Sequence, residues 1–386
     1  MMPEMNREER TAFREMAAGF ARRSVGPLLR HESPDGELEK LGAVLAEAEA
    51  TGLLASPDPE APGHATGVWG RDTLEHGPRM SLSLLEELAV ACAGVAMNLH
   101  AAGLGSLLLA GAPAPAGARR VAVALSEGGF PPGARVIMDP GRMEPARIET
   151  AAAAKDGGYV LRGRKDFVHQ ALDTDAYIVF ARMEEQWAAF LVRADAAGLR
   201  IEPAGQRQGL RACPVVDLIL KDVSVPAEAR LDFGRPAAEA VMEFMRLWSL
   251  GLVAIGAGTA RGALAAARVY AHERYQGGAE IIHHSPMGAL LAEAEAGIMV
   301  CEGLLERAVM ERGRPGEALR LAAKARLMGM PAAALAVSNC LQVFGGYGYM
   351  EDYRMEKRYR DVNTLKSAGG GQRELRRLIA ELGEED

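Results

Sequence analysis

The hydrophobic pattern of the chain changes twice, and these two changes limit the folds that it can adopt. From about residue 5 to 110, and again from about 235, apolar residues recur at helical spacing. Between about 121 and 232, short apolar runs alternate with turn signals such as Asp156-Gly157-Gly158, which is typical of strands. The pattern predicts an α+β protein, mainly helical, with an N-terminal helical domain over 1–118, a middle antiparallel sheet or barrel over 119–234, and a C-terminal four-helix bundle over 235–386.

The C-terminal region is predicted to contain four long helices. Their expected ranges are 236–273, 285–312, 316–343 and 350–382. Pro286 and Pro315 lie near two of the helix starts, where proline is tolerated. A run rich in glycine and proline at 111–117 marks the expected end of the first domain.

Composition and charge argue against several classes of function. The formal net charge is −7 and no basic block stands out, so a nucleic-acid partner is not expected. The four cysteines are scattered, and their spacing predicts neither a metal site nor a disulfide framework. The run of small, apolar residues at 247–260 is bounded too tightly by Arg246 and Arg261 to span a membrane. The N-terminus lacks the apolar segment of a secretory signal. We therefore expect a cytoplasmic protein without a membrane span.

Several short motifs follow one another in an order that resembles a known family. The most specific is the run QVFGGYGY at 342–349, which is followed by Arg360-Asp361. Earlier segments agree with it: SLLEELA at 83–89, DVSVPAE at 222–228 and RYQGG at 274–278. Together these segments cover nearly the whole chain and resemble the acyl-CoA dehydrogenase family.

The resemblance implies FAD as cofactor, bound between the middle domain and the helix bundle with help from a neighbouring subunit. At the far end of FAD it points to Arg274, Gln276, His284, Gln342, Gly345 and Gly346. Arg274 offers a forked cation for the pyrophosphate, and the two glycines allow the backbone to approach a ligand closely. Taken alone, Arg274 could equally form a surface ion pair.

On the flavin-ring side the motifs are altered. The resemblance assigns Leu125, Ser126, Phe167, His169 and Gly370 to the cofactor. His169 replaces a small hydroxyl residue expected near flavin N5, and a loop histidine facing solvent is the alternative interpretation. The segment after Glu127 departs from the family pattern, which puts a contact to acyl-CoA in doubt.

The family's catalytic carboxylate has no counterpart at either of its two known positions. Counting forward from Arg360-Asp361, the usual Glu position is Gly369, within Ala-Gly-Gly-Gly at 368–371. The alternative position on an earlier helix is Trp248, with Ser249 in place of a family Arg. Removal of an α-proton needs a base within reach. Neither family position supplies one, so the catalytic residue is unknown, and Glu243 is a weak candidate.

Three functional hypotheses follow from these residues. The first is a flavoprotein that oxidises an acyl-CoA thioester at Cα–Cβ, with FAD accepting the hydride and an electron-transfer flavoprotein as acceptor. The second is a non-catalytic, FAD-supporting subunit of a hetero-oligomer with a related chain that keeps its Glu. The third is a flavoenzyme of the same fold with different oxidative chemistry, for example with oxygen. The resemblance also implies a homotetramer when the chain acts alone.

Overall fold

The computed structural model describes residues 7–27, 36–110, 118–128, 148–170, 172–311 and 314–383. The breaker-rich run at 111–117 and the altered segment from residue 129 onwards lie outside the described residues. The described chain forms helices, then a sheet, then a helix bundle, as the hydrophobic pattern predicts. The predicted α+β fold class is confirmed.

The N-terminal helices pack into a largely apolar layer. Apolar faces such as Leu41, Leu45 and Ala48 are fully buried, and the second helix ends before Gly52, whose φ is +74°. The helices among the described N-terminal residues are α1 Arg7–Phe20, which continues as a π-helix over Ala21–Val25, α2 Gly36–Ala50, α3 Asp72–His76, α4 Arg79–Ala91 and α5 Ala93–Leu109.

The middle region is a twisted seven-stranded sheet. Its strands are β1 Val121–Ala124, β2 Ala151–Lys155, β3 Gly158–His169, β4 Ala176–Met183, β5 Gln186–Arg193, β6 Leu199–Pro203 and β7 Val215–Pro226. The order is β1-β4-β2-β3-β7-β6, with β5 also paired to β4. Asp156 and Gly157 adopt positive φ in the predicted β2–β3 hairpin. Most pairings are antiparallel, while β4 runs parallel to β1 and to the first residue of β2.

The C-terminal region is built around one long buried helix. The elements are α6 Ala237–Glu273, a small hairpin of β8 Tyr275–Gln276 and β9 Ala279–Glu280, then α7 Ser285–Met310, α8 Pro315–Val343, α9 Met355–Leu365 and α10 Gln372–Glu381. By length and composition α6 could cross a membrane, yet 83% of its most apolar stretch is buried inside the protein. Its apolar character is therefore explained by its place in the core.

The predicted fourth helix over 350–382 is wrong, because the structure divides that segment. Arg354 has φ +55° and precedes α9, and a loop over 366–371 separates α9 from α10. Within that loop Gly369 has φ +72° and Gly370 has φ +127°, which are left-handed values that end a helix. The domain boundaries at 118 and 234 remain predictions, although the first strand and α6 begin close to them.

Candidate active site and cofactor site

A cavity of about 620 Å³ lies where α6 ends and α8 meets the following short helix. It brings together five residues predicted for the far end of FAD: Arg274, Gln276, Gln342, Gly345 and Gly346. The sixth, His284, lies beside them, with its Nε2 at 2.9 Å from the carbonyl oxygen of Gln276. We call this cavity the Arg274 pocket.

The walls of the Arg274 pocket are aromatic, and part of its lining is bare backbone. Tyr270 stacks on Phe344 with ring centroids 4.4 Å apart, and the Arg274 guanidinium lies 5.5 Å from the centroid of the Tyr347 ring. Gly345 adopts φ +56°, and a Cβ added at Gly345 or Gly346 would meet no atom within 4 Å. The open space, the exposed backbone and one forked cation suit the pyrophosphate end of a dinucleotide.

Four of the five residues predicted for the flavin-ring side lie at the end of β1 and on β3, namely Leu125, Ser126, Phe167 and His169, while Gly370 lies in the loop between α9 and α10. Lys165 is fully buried; its Nζ donates to the Leu125 carbonyl oxygen at 3.3 Å and to Glu127 Oε1 at 2.5 Å. The Asp166 amide donates to the Ser126 carbonyl oxygen at 2.9 Å. Burial by itself would raise the pKa of Glu127, but the charge and hydrogen bond of Lys165 outweigh it and hold that pKa below its usual range.

Phe167 and His169 lie near the end of β3, and His169 reaches the helix bundle. Phe167 has a left-handed φ of +54°, and its amide donates to Asp217 Oδ1 at 3.0 Å. The His169 ring meets the Trp248 ring edge-on, with centroids 5.2 Å apart. Burial, together with the positive charges of Arg207 and Arg326, lowers the pKa of His169 to about 3, so this ring is neutral at pH 7.

Trp248 and Gly369, the two positions predicted to correspond to the family's base, meet in space. Trp248 on α6 donates from Nε1 to the Ala368 carbonyl oxygen at 3.2 Å. A Cβ added at Gly369 would lie only 2.3 Å from the same Nε1. Neither position carries a carboxylate, and the indole occupies the space that any side chain at 369 would need. Ser249, at the position of the family Arg, donates back to the Met245 carbonyl oxygen within α6.

A cluster of rings, which we call the Trp248 cluster, fills the interior around this contact. Trp248 is 3% exposed, and its ring lies 5.1 Å from that of His100 and 5.7 Å from that of Phe244, centroid to centroid. Trp69 Nε1 donates to His100 Nδ1 at 2.7 Å, so the His100 imidazole accepts at that nitrogen. Burial lowers the pKa of His100 to about 3, which keeps it neutral.

Arg326, like His100, is a residue near this contact that the sequence motifs do not predict. It lies on α8 with no exposed surface, and its guanidinium donates to the carbonyl oxygens of Ala368, at 2.7 Å, and of Gly370. The Gly369 carbonyl oxygen lies 3.5 Å from it. Gly370, predicted to contact FAD, therefore has its carbonyl oxygen directed at Arg326. Burial lowers the pKa of Arg326 to about 9.

Glu243, the weak candidate for a relocated base, is already engaged. Both of its carboxylate oxygens accept from Arg246, each at 2.7 Å. It lines a separate cavity of about 570 Å³ between the end of α5 and the start of α6, with Phe244 forming part of the wall. Its role as a base remains a prediction that this geometry does not favour.

The order of elements, the Arg274 pocket and the loop at 366–371 define a class: a flavoprotein of the acyl-CoA dehydrogenase type. Two family models match the chain, "Acyl-CoA dehydrogenase, middle domain" over residues 140–223 and "Acyl-CoA dehydrogenase, C-terminal domain" over 234–382. The chain belongs to the acyl-CoA dehydrogenase family.

Individual relatives and solved structures agree with this assignment. The chain is 27% identical over 368 residues to a cyclohexane-1-carbonyl-CoA dehydrogenase of Geobacter metallireducens, with 93% of each chain covered. It is 28% identical over 258 residues to a subunit of the caffeyl-CoA reductase-Etf complex of Acetobacterium woodii, covering 66% of this chain and 65% of that one. The fold matches butyryl-CoA dehydrogenase of Megasphaera elsdenii with a TM-score of 0.76 at 21% identity over 99% of both chains. The predicted family and its cofactor FAD are confirmed, and the protein is an acyl-CoA dehydrogenase-like flavoprotein.

Proposed function

We propose that this protein carries out FAD-dependent oxidation and reduction at the Cα–Cβ bond of an acyl-CoA thioester. The observation that carries the proposal is the Arg274 pocket, in which five residues predicted from the family motifs converge on one open cavity. The relatives named above act on, or are named for, acyl-CoA thioesters. FAD, when bound, accepts or returns the hydride of Cβ.

The chain's own residues have different roles in this proposal. Arg274 binds the pyrophosphate, and Gly345 and Gly346 let the backbone approach the adenosine end. The buried Lys165–Glu127 pair fixes the end of β1 against β3 and so positions Ser126 and Phe167 beside the ring system. Positions 248 and 369 carry no carboxylate, so in this proposal the α-proton passes to a base that lies at neither position.

The length of α6 supports a shared cofactor. Between Trp248 and Arg274 the helix rises by about 39 Å. A span of this length supports one FAD being shared, with its ring beside the Trp248 cluster of one subunit and its far end in the Arg274 pocket of another. We propose a cytoplasmic homo-oligomer, a homotetramer in the simplest case, with an electron-transfer flavoprotein as acceptor.

The test is the visible spectrum of the purified protein under anaerobic conditions. We expect an oxidised-flavin band that bleaches when an acyl-CoA panel is added. A flavin-loaded protein that no member of the panel bleaches would refute the proposal. Re-oxidation by air during turnover would instead support the hypothesis of oxygen-dependent chemistry.

A second function is favoured by the contact between Trp248 and Gly369. Because the indole occupies the place of a side chain at 369, the chain could instead be the FAD-supporting subunit of a hetero-oligomer. In that assembly its Arg274 pocket would serve a flavin beside the carboxylate of a related chain. This hypothesis predicts no bleaching by the isolated chain and bleaching after a Glu-containing partner is added.

A further inference from the structure

Strand β3 contains a β-bulge where the predicted flavin-ring residues lie. The pairing of β3 with β7 shifts register between Lys165 and Val168. In that interval two residues of β3, Asp166 and Phe167, stand opposite the single residue Asp217 of β7. At Phe167 the backbone has φ +54°, a left-handed value that is unfavourable for a bulky residue. Such a conformation persists only where the surrounding contacts impose it.

The carboxylate of Asp217 holds this bulge through both of its oxygens. Oδ1 accepts from the Phe167 amide at 3.0 Å, and Oδ2 accepts from Arg164 Nη2 at 2.6 Å. The same guanidinium donates from Nε to Asp166 Oδ1 at 2.5 Å. The side chains of Asp217 and Asp166 are 9% and 1% exposed, so both carboxylates are largely shielded from water, where charge-assisted hydrogen bonds are strong. Asp217 therefore ties the strained amide to the strand on which it lies.

The bulge in turn holds other residues of the predicted flavin-ring side. The Asp166 amide donates to the Ser126 carbonyl oxygen at 2.9 Å. The Phe167 carbonyl oxygen lies 3.2 Å from His169 Nδ1. Because a carbonyl oxygen can only accept, this contact is a hydrogen bond when Nδ1 carries the ring proton. The conformation at residue 167 thus bears on which nitrogen of the imidazole is protonated.

The imidazole of His169 is neutral and carries one proton. Burial, together with the positive charges of Arg207 and Arg326, lowers its pKa to about 3. In a neutral imidazole one nitrogen donates and the other accepts, and the hydrogen bonds of the ring decide which is which. With the proton on Nδ1 and directed at the Phe167 carbonyl oxygen, Nε2 keeps its lone pair and is an acceptor.

We propose that Asp217 is a positioning residue for the flavin-ring side of the cofactor site. Its carboxylate holds Phe167 in the left-handed conformation, and through the Phe167 carbonyl oxygen it keeps His169 Nε2 as a hydrogen-bond acceptor. This inference rests on the cofactor site of the proposed function, since it takes Phe167 and His169 to lie beside the flavin ring. Reduced flavin carries a ring N–H that the oxidised ring lacks, so an acceptor beside the ring favours the reduced cofactor.

The first test determines the His169 tautomer by NMR of the imidazole nitrogens, in the whole chain as purified and without acyl-CoA. His169→Gln assigns the signal. We expect a proton fixed on Nδ1 in the wild type, and in Asp217→Ala shifts that converge towards those of two exchanging tautomers. Asp222→Asn is the matched control, because Asp222 also lies on β7 and pairs with Arg162 of β3, outside the bulge. Asparagine also suits the left-handed φ of residue 222. The control should leave the His169 signal unchanged.

A rescue experiment separates positioning from a general loss of stability. Glycine adopts a left-handed φ without strain, so in Phe167→Gly the bulge no longer needs the carboxylate, while the carbonyl oxygen at 167 remains. Asp217→Ala should therefore shift the His169 tautomer much less in that background. Asp217→Asn, which keeps the shape of the side chain, is the second variant in case Asp217→Ala does not fold. An unchanged tautomer in both Asp217 variants, or the same shift with and without Phe167→Gly, would overturn the inference.

The second readout is the midpoint potential of bound FAD, measured by anaerobic titration. Asp217→Ala should make it more negative, because the acceptor for the reduced ring is no longer fixed, and Asp222→Asn should keep the wild-type value. Equal potentials in Asp217→Ala and the wild type would overturn the assignment to the flavin-ring side. Failure of the proposed function is read differently, as a wild-type flavin that no acyl-CoA bleaches. Shifts in tautomer and potential without bleaching would keep the inference and refute the function.

Discussion

The Arg274 pocket and the Trp248 cluster lie at different levels of the same helix, and they use their space in opposite ways. At the Arg274 pocket two glycines and a cation border an open cavity. At the Trp248 cluster a glycine also faces inward, but a neighbouring indole fills the space that it leaves. The first arrangement leaves room for a ligand, and the second is fully packed. The comparison shows that the structural role of a glycine in a family motif depends on the residues that pack around it.

The largest expected effect comes from reopening the filled region and restoring a base. In the double variant Trp248→Ala/Gly369→Glu, the carboxylate gains the volume that the indole occupied. We expect anaerobic flavin reduction by butyryl-CoA to become about 10²- to 10⁴-fold faster than in Trp248→Ala, as a positioned general base provides. The measurement is stopped-flow absorbance of the flavin band.

Trp248→Ala/Gly369→Gln is the matched control, because its amide has the same shape and cannot accept the proton. Equal rates in the Glu and Gln variants would show that position 369 does not lie beside the reacting carbons. The contrast between the two regions would then concern packing alone.

The Arg274 pocket is tested by the variant Arg274→Ala. Loss of a charge-assisted hydrogen bond to the pyrophosphate costs about 1.5–3 kcal/mol, so FAD affinity should fall by roughly 10- to 150-fold. The flavin content after gel filtration and a titration of the apoprotein with FAD both report it. Arg268→Ala on the same helix removes a cation whose partner, Glu295, is an exposed carboxylate, and should leave FAD affinity unchanged. Similar flavin losses in both variants would remove the Arg274 pocket from the cofactor site.

The smallest expected effect is a pH dependence of the unfolding free energy that arises in the Trp248 cluster. His100 is buried with its pKa lowered to about 3, whereas an unfolded chain has a histidine pKa of about 6.5. Below pH 6.5 this histidine binds a proton in the unfolded state but stays neutral in the folded state. The contribution of His100 to the free energy of unfolding is therefore complete above pH 6.5 and falls progressively as the pH is lowered towards 3. The loss is about 1.4 kcal/mol at pH 5.5.

Replacing the imidazole tests this directly. His100→Gln keeps an acceptor for Trp69 and should reduce the fall in unfolding free energy between pH 7.5 and 5.5 without abolishing it, because the pKa of His169 is lowered to about 3 as well. His272→Gln, which changes a largely exposed histidine, should leave the slope as it is in the wild type. An unchanged slope in His100→Gln would mean that the ring is charged or accessible in the folded protein.

The sequence predicted features whose cause is local, and it missed those that arise from packing between distant segments. Asp156-Gly157 specifies its own turn, and the motif around Gly345 carries three of the five predicted residues of the Arg274 pocket close together in the chain. The meeting of Trp248 with Gly369 depends on how α6 and the α9–α10 loop pack, and no local pattern encodes it. Gly369 and Gly370 are a local signal for the break within 350–382, because glycine favours the left-handed φ values that end a helix.

Arg326 and His100 could have been found from periodicity. Arg326 falls on the apolar stripe of α8 formed by Leu319, Ala323, Met330 and Ala333, where a solvated arginine is not expected. His100 interrupts α5, which is apolar on all sides. A polar residue at a core position is the signal in both cases, although its hydrogen-bond partners become visible only in the structure.

The contact between Trp248 and Gly369 also limits the routes by which this chain could change under mutation. A single change from Gly to Glu at 369 meets the indole, and a single change at 248 to a small residue opens a cavity without providing a base. Each intermediate is less stable than the starting protein, so the two changes are favourable only when they occur together. A carboxylate at 369 therefore requires two coincident substitutions, one at each position.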